Sequence, residues 1–198
     1  MKKLFVFLVA TMLMGNGIAQ TTAVNESFET WPATDWNIYE IGAGGHWVHS
    51  TLFGSNRGYS GGNCAEHQIN NNNCNNWLVS PQISVVNNNY ELNFQVYSSD
   101  LTYYSYAGVY ISTASGNPND GNFVELSESL KVEGAWAQQI IDLSTYQGQN
   151  IYLAFVYQGT WHHWRVDEVV VAPSTLIDGA LTEIINPVGI NPVPSTEN

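Results

Sequence analysis

Basic residues are scarce in this chain. Its 198 residues include only five lysines and arginines, against 17 aspartates and glutamates. Nucleic acids and anionic lipid surfaces are bound through clusters of Lys and Arg, so the composition argues against both kinds of partner. An acidic surface of this kind keeps a protein soluble, and it is also compatible with divalent cations.

Long apolar runs are absent after the first residues. Residues 4–13 form a short apolar segment that follows Lys2 and Lys3 and precedes Gly17-Ile18-Ala19. This is the pattern of a secretory signal peptide with cleavage after Ala19. The run is too short to span a membrane, and no later segment is long and apolar enough. We therefore expect a secreted or cell-surface protein that loses residues 1–19, which leaves a net charge of −14.

Cysteine is equally rare, with one residue at Cys64 and one at Cys74. Exported proteins fold in oxidising compartments, where two nearby cysteines favour a disulfide. A bridge that closes so short a loop would stabilise the fold by about 2–3 kcal/mol in the chain-entropy model. Two free thiols in a loop are the alternative.

Helical periodicity is missing, and alternation takes its place. Residues 90–97 place Leu92, Phe94 and Val96 on one face of an extended segment. Further short segments rich in β-branched and aromatic residues are separated by Asn- and Gly-rich turns. This pattern predicts an all-β fold, an antiparallel β-sandwich or jelly roll. The further segments are residues 107–112, 136–143, 151–157 and 164–171.

Catalytic signatures are lacking as well. The predicted strands carry no carboxylate pair spaced for glycoside hydrolysis, and no serine stands in a Gly-x-Ser-x-Gly context. His46, His49 and His67 could supply three zinc ligands. However, positions three apart on an extended segment face opposite sides, which favours unrelated polar histidines. The sequence therefore predicts a protein that is not an enzyme.

Six short motifs and two single tryptophans occur in a fixed order along the chain. They are Phe28-Glu29, Trp36, Trp47, Asn76-Trp77-Leu78-Val79-Ser80-Pro81, Val109-Tyr110-Ile111-Ser112-Thr113, Ile141-Asp142-Leu143, Tyr152-Leu153-Ala154-Phe155 and Val166-Asp167-Glu168-Val169. In this order they resemble the cleaved-adhesin domains, also called choice-of-anchor J domains, which are similar to MAM-type jelly rolls. The resemblance covers residues 25–171. It implies a jelly-roll β-sandwich, found in secreted or surface proteins of Bacteroidetes-type bacteria, with structural calcium and a role in adhesion.

The resemblance also divides the chain. It implies one jelly-roll domain over residues 20–172. Residues 173–198 then form either a linker or the first strand of a following Ig-like domain. The hexapeptide of residues 76–81 is predicted to be a core strand with Trp77 or Leu78 buried, and to serve as a family marker without contacting a ligand.

Acidic residues at the two ends of the domain are candidate calcium ligands. Ca²⁺ takes six to eight oxygen ligands, and the first and last strands of a jelly roll lie near each other. Glu29 and Asp167 are expected to meet at that edge, with Glu26 as the alternative to Glu29. Asp167 and Glu168 should face opposite sides unless a bulge intervenes, and Asp167 is favoured. Solvated edge carboxylates are the alternative interpretation.

Aromatic loop residues are candidate ligand contacts, because exposed Trp and Tyr rings stack on sugars or anchor protein partners. Trp164 could equally be the first core residue of the last strand. The candidates are Trp161, His162, Trp164, Tyr103, Tyr104 and Tyr106.

Together these features predict a non-catalytic extracellular module for adhesion or recognition. It would bind a glycan or a protein surface and would be stabilised by Ca²⁺. Two alternatives remain open. One is a structural subunit that joins further subunits or domains through its C-terminal tail, and the other is an accessory domain of a secreted hydrolase.

Overall fold

The computed structural model describes residues 23–68, 73–100, 102, 104–128, 133–160 and 163–174. The predicted signal peptide lies outside these ranges, as do residues 175–198 of the predicted linker or following strand. Short 3₁₀ helices occur at Ser50–Phe53, Pro118–Asp120 and Ser144–Tyr146. The strands are β1 (Val24–Glu26), β2 (Asn37–Glu40), β3 (His46–His49), β4 (Ala65–Gln68), β5 (Cys74–Val79), β6 (Ile83–Ser84), β7 (Tyr90–Ser98), β8 (Tyr104–Ser112), β9 (Val124–Ser127), β10 (Ala137–Asp142), β11 (Asn150–Gly159) and β12 (Trp164–Pro173).

The strands form two sheets. Sheet A has the order β10-β7-β12-β4-β3, and β1 also pairs with β12. Sheet B has the order β2-β5-β11-β8-β9, and β6 also pairs with β11. The named strands pair antiparallel in both sheets. The predicted antiparallel β-sandwich is confirmed. Within the described residues, no helix is long and apolar enough to cross a membrane.

The main core lies between the sheets. On β7 the side chains of Leu92, Phe94 and Val96 are fully buried, as the alternation predicted. They belong to one cluster with Phe155 and Val166 from the other central strands. Each large aliphatic side chain buried in this way contributes roughly 1.5–3 kcal/mol.

A bulge interrupts the last strand. The register of β12 against β7 shifts between Asp167 and Val170, and Glu168 adopts φ 49°. A positive φ is unfavourable for a residue with a side chain, and an extra residue in one strand breaks the alternation of faces. Neighbours on a regular strand face opposite sides, but the bulge allows the side chains of Asp167 and Glu168 to lie on the same side.

The predicted disulfide between Cys64 and Cys74 is wrong. Both thiols are free and buried. Cys64 lies just before β4 of sheet A, and its sulfur contacts the Arg57 carbonyl. Cys74 begins β5 of sheet B, and its sulfur contacts the Gly159 carbonyl. The two residues are therefore built into different sheets, although they are close in sequence.

Thiol titration checks this correction. Burial raises the pKa of Cys64 to about 12 and also raises the pKa of Cys74. Because the thiolate is the reactive form, we expect both thiols to be unreactive towards a disulfide reagent in the folded protein. Both should react once the protein is unfolded without reductant. No reaction after unfolding would restore the disulfide.

Candidate functional site

The two ends of the domain meet as predicted. Strand β1 pairs with β12, with Val24 opposite Val171 and Glu26 opposite Val169. Beyond β1 lies Glu29, and β12 carries Asp167 and the bulge. The pairing of β1 with β12 therefore places Glu29, which follows β1, at the edge where β12 carries Asp167.

A single loop, residues 57–63, covers this acidic edge. The backbone N–H of Asn63 donates to Glu29 Oε1 at 2.9 Å, and its side-chain amide donates to Oε2 at 3.0 Å. The N–H of Tyr59 donates to Asp167 Oδ2 at 2.7 Å, and the Ser60 hydroxyl donates to Glu168 Oε1 at 3.2 Å. Three carboxylates thus hold this edge loop.

The edge loop requires glycine where it approaches these carboxylates. A Cβ at Gly62 would lie 1.8 Å from Glu29 Oε1. A Cβ at Gly58 would lie 2.4 Å from the Asn63 carbonyl oxygen and 2.9 Å from Asp167 Oδ2. The backbone can therefore come this close to both carboxylates only where no side chain intervenes.

Among the described residues, the carboxylate of the buried Asp167 accepts hydrogen bonds only from backbone N–H groups. The residue is 1% exposed, and its hydrogen bonds come from the backbone N–H groups of Tyr59 and Glu168. Burial raises the pKa of Asp167 to about 6. The Glu168 and Glu29 carboxylates also raise this pKa, and the two N–H groups oppose the rise. A cation bound at this edge would offset the cost of burying the charge.

The other candidate ligands considered, Glu26 and the histidines, make contacts of their own. Glu26 Oε1 accepts a hydrogen bond from the Phe28 N–H at 2.7 Å, so this carboxylate stabilises the backbone turn that follows β1. His49 contacts the Phe28 carbonyl and Thr51, and His67 is buried beside Asn76. Across the described ranges, no three His, Cys, Asp or Glu side chains come close enough together to hold a metal ion by themselves.

The predicted aromatic contacts are only partly described. Trp161, His162 and Tyr103 lie outside the described residues. The prediction that Trp164 contacts a ligand is wrong, because this residue is 1% exposed and lies in the core. Its ring centroid lies 5.5 Å from that of Trp47 and 6.4 Å from that of Tyr157.

Tyr104 and Tyr106 take different environments. On a regular strand, residues two apart share a face. Here the pairing of β8 with β11 shifts register between Gln158 and Gly159, the partners of Tyr106 and Tyr104, so the alternation is interrupted. Tyr104 packs against the main core. Tyr106 is 8% exposed and belongs to a second apolar cluster.

That second cluster covers the side of sheet B that faces away from the main core. Trp77 is at its centre, with ring centroids 4.9 Å from Tyr110 and 5.4 Å from Phe123. Tyr106 lies 5.5 Å from Tyr110. We call the ring-bearing residues of this surface the outer aromatic face; they are Tyr39, Trp77, Tyr106, Tyr110, Phe123 and Tyr152.

Amide side chains border the outer aromatic face. Trp77 Nε1 donates to Asn75 Oδ1 at 2.8 Å, and Gln158 Nε2 lies 3.4 Å from the same oxygen. Gln82 Nε2 donates to the Tyr152 hydroxyl at 3.1 Å. The surface therefore combines half-buried rings with hydrogen-bonding amides at its border.

The sequence held a signal for this surface. Residues 151–157 of β11 form an almost continuous apolar run, and such runs occur where both faces of a strand are covered. In β5, Leu78 is buried in the main core and Trp77 in the outer cluster. Trp77 and Leu78 of the hexapeptide are thus both buried, on opposite sides of sheet B.

Comparisons with known proteins agree with the fold. The model of the family described as Cleaved Adhesin Domain matches residues 21–171. Hemagglutinin A of Porphyromonas gingivalis is 28% identical over 185 residues, which cover 77% of this chain and 8% of that protein. The chain therefore spans only a small part of that relative.

Solved structures give the same answer. The K3 cleaved adhesin domain of Lys-gingipain from Porphyromonas gingivalis superposes with a TM-score of 0.64 at 23% identity, covering 78% of this chain and 99% of that domain. The carbohydrate-binding module TmCBM61, in complex with β-1,4-galactotriose, superposes with a TM-score of 0.55 at 13% identity, with the same coverage. At these identities the likeness shows the fold.

Proposed function

Because this chain belongs to the cleaved adhesin domain family, we propose that it is a non-catalytic extracellular recognition module whose outer aromatic face binds glycan. The observation that carries the proposal is the second apolar cluster. A sandwich needs one core between its sheets, whereas this chain gathers six aromatic residues on the far side of sheet B as well.

The chemistry of this face suits a sugar. Pyranose rings present apolar C–H surfaces that stack on aromatic rings, and their hydroxyls need donors and acceptors. Tyr39, Tyr110 and Tyr152 are half-buried, so each ring is held in place and retains an accessible part. The amides of Asn75, Gln82 and Gln158 can both donate and accept hydrogen bonds. The structural likeness to a module in complex with a galactotriose supports the same choice.

Calorimetric titration of Tyr39→Ala and Tyr110→Ala tests the face. With β-1,4-galactotriose and xylohexaose as probes, we expect each variant to bind at least about tenfold more weakly than the wild type, a loss of about 1.4 kcal/mol. Tyr146→Ala is the matched control, because Tyr146 is a partly buried tyrosine that packs against the main core. Unchanged affinity in both face variants would remove the proposal.

Calcium at the acidic edge is the second part of the proposal. The hard oxygens of Glu29 and Asp167 are the ligands that Ca²⁺ prefers, and carbonyl oxygens or water would complete its shell. When bound, the ion would supply positive charge beside the buried Asp167. The same carboxylates already fasten the edge loop, so they are positioned without the ion.

Thermal unfolding with excess Ca²⁺ and with a chelator tests this part. An ion present at about 100 times its dissociation constant stabilises a protein by about 2.7 kcal/mol, so we expect a higher midpoint with calcium. Asp167→Asn should abolish the difference. Asp120→Asn should preserve it, because Asp120 lies in a separate turn, where it accepts hydrogen bonds from Ser115 and Asn117. Equal midpoints for the wild type would contradict the calcium site.

A further inference from the structure

The two arginines among the described residues converge on one buried glutamate. Arg57 donates to Glu66 through Nε at 2.8 Å and also through Nη2. Arg165 Nε lies 3.3 Å from Glu66 Oε1, and His163 Nδ1 lies 2.8 Å from the same oxygen. Glu66 itself is fully buried. A chain with 17 acidic and five basic residues therefore concentrates positive charge at one place.

This place lies on the outer side of sheet A. Tyr97, Arg165 and Glu66 are in register across β7, β12 and β4. Their chain neighbours Val96, Val166 and Ala65 are buried in the main core, so the three polar residues face away from it. The site is therefore on the opposite sheet from the outer aromatic face.

Aromatic rings extend this row towards solvent. The Arg165 guanidinium lies 4.3 Å from the centre of the Tyr97 ring. Trp136 is 5.7 Å from Tyr97, and Tyr59 is 6.1 Å from Trp136. Tyr59 is 51% exposed. We call these residues and the ion pairs around Glu66 the cationic patch; its members are Arg57, Tyr59, Glu66, Tyr97, Trp136, His163 and Arg165.

The charges directly around Glu66 do not balance, because two guanidinium groups share its single carboxylate. The nearest other carboxylates named above, Asp167 and Glu168, are bonded to Tyr59 and Ser60 of the edge loop and not to either guanidinium. Arg165 Nε is buried, and within the described part of the chain it makes no hydrogen bond of good geometry. The side chains of Arg57 and Arg165 retain 23% and 12% exposure. A second carboxylate supplied from solvent would balance the second guanidinium and could accept two parallel hydrogen bonds from it.

We propose that the cationic patch is a second glycan site, which binds a carboxylate-bearing sugar such as a uronic acid. The carboxylate contacts the arginines, and the neighbouring sugar ring stacks on Trp136 and Tyr59. Arg165 lies 4.3 Å and Trp136 lies 5.7 Å from the centre of the same Tyr97 ring, so the two are at most about 10 Å apart and within reach of one short oligosaccharide. A free phosphate or an acidic peptide would use the arginines but would leave this aromatic extension without a role.

The net charge of the whole protein limits which acidic glycans can bind. At a net charge of −12, the protein repels a polyanion at long range, and salt screens that repulsion beyond about 10 Å. A glycan with one acidic sugar among neutral sugars reaches the arginines without this long-range repulsion. We therefore expect a neutral chain that carries a single uronic acid branch to bind better than a heavily charged polysaccharide.

A matched pair of oligosaccharides provides the test. One is a xylo-oligosaccharide with a single glucuronic acid branch, and the other is the same molecule with its carboxyl group reduced to the alcohol. We expect at least tenfold tighter binding of the acidic form in calorimetric titration. Trp136→Ala and Arg165→Lys should each remove this difference. The first does not touch Glu66, and the second keeps the charge beside it, so both should fold.

The controls separate this site from the outer aromatic face. Tyr110→Ala should leave the preference for the acidic form unchanged, even where it weakens binding of neutral sugars. Equal affinity for the two oligosaccharides would overturn the proposal, as would loss of the preference in Tyr110→Ala alone. Equally tight binding of a short acidic peptide at the same site would overturn the assignment to sugars. If neutral sugars fail to bind but the acidic form binds, the proposal for the outer aromatic face is contradicted and the proposal for the cationic patch is supported.

Discussion

Trp164→Ala is expected to lower the free energy of unfolding by about 3–5 kcal/mol, the usual cost of truncating a large aromatic residue in a core. The indole is enclosed by Trp47, Phe155 and Tyr157, so its loss leaves a cavity between the two sheets. Domains are stable by only about 5–15 kcal/mol. The variant should therefore unfold at a much lower denaturant concentration, which chemical unfolding monitored by circular dichroism measures.

Trp136→Ala is the matched control for this prediction. Trp136 lies just before β10 and is only partly buried, with Tyr59 and Tyr97 as its ring neighbours. Its removal should cost much less stability. If Trp164→Ala kept the stability of the wild type and lost ligand binding instead, Trp164 would be a contact residue, and its burial in the core would be refuted.

Glu66→Gln is expected to destabilise the protein by about 3–5 kcal/mol, because it leaves the charges of Arg57 and Arg165 in a partly buried place without their counter-ion. Glutamine has nearly the same shape as glutamate, so the loss reports charge and not volume. Glu91→Gln is the control. It lies on the outer side of the same sheet, opposite Asp142 on β10, and should change stability little. Equal stability of Glu66→Gln and the wild type would contradict the role of the carboxylate.

The same carboxylate predicts a pH dependence. Burial raises the pKa of Glu66, but the close contact of His163 Nδ1, the hydrogen bonds from Arg57 and the charge of Arg165 outweigh it and lower the pKa to about 2. A lowered pKa in the folded state means that its stabilisation is complete above the unfolded value of 4.5 and is lost as the pH falls from there towards 2. Glu66→Gln should lack this part of the acid sensitivity in unfolding curves recorded between pH 5 and pH 2.

Local patterns were sufficient to predict most of the fold. The alternation in residues 90–97 gave the correct inner face of β7, because polar and apolar side chains on a half-buried strand must separate. The Asn- and Gly-rich turns marked the strand ends. The pairing of β1 with β12, which brings Glu29 towards Asp167, follows from the jelly-roll topology that the family motifs imply.

Register and long-range packing could not be predicted in this way. The shift between Gln158 and Gly159 separates Tyr104 from Tyr106, and no single-sequence pattern announces a bulge. Cys64 and Cys74 are close along the chain but belong to different sheets. Arg57 and Arg165 are distant along the chain, so their meeting at Glu66 depends on the complete fold.

The pairing of β1 with β12 has a mechanical consequence. Because Val24 lies opposite Val171, the chain enters and leaves the sandwich at the same end of one strand pair. A pulling force applied between these two points would open the pair like a zipper, breaking its hydrogen bonds one after another instead of shearing them together. The first strand would detach at low force until the load reached Glu29 and its hold on Asn63. A domain stretched within a longer chain would then lengthen by one strand while its two sheets stayed closed.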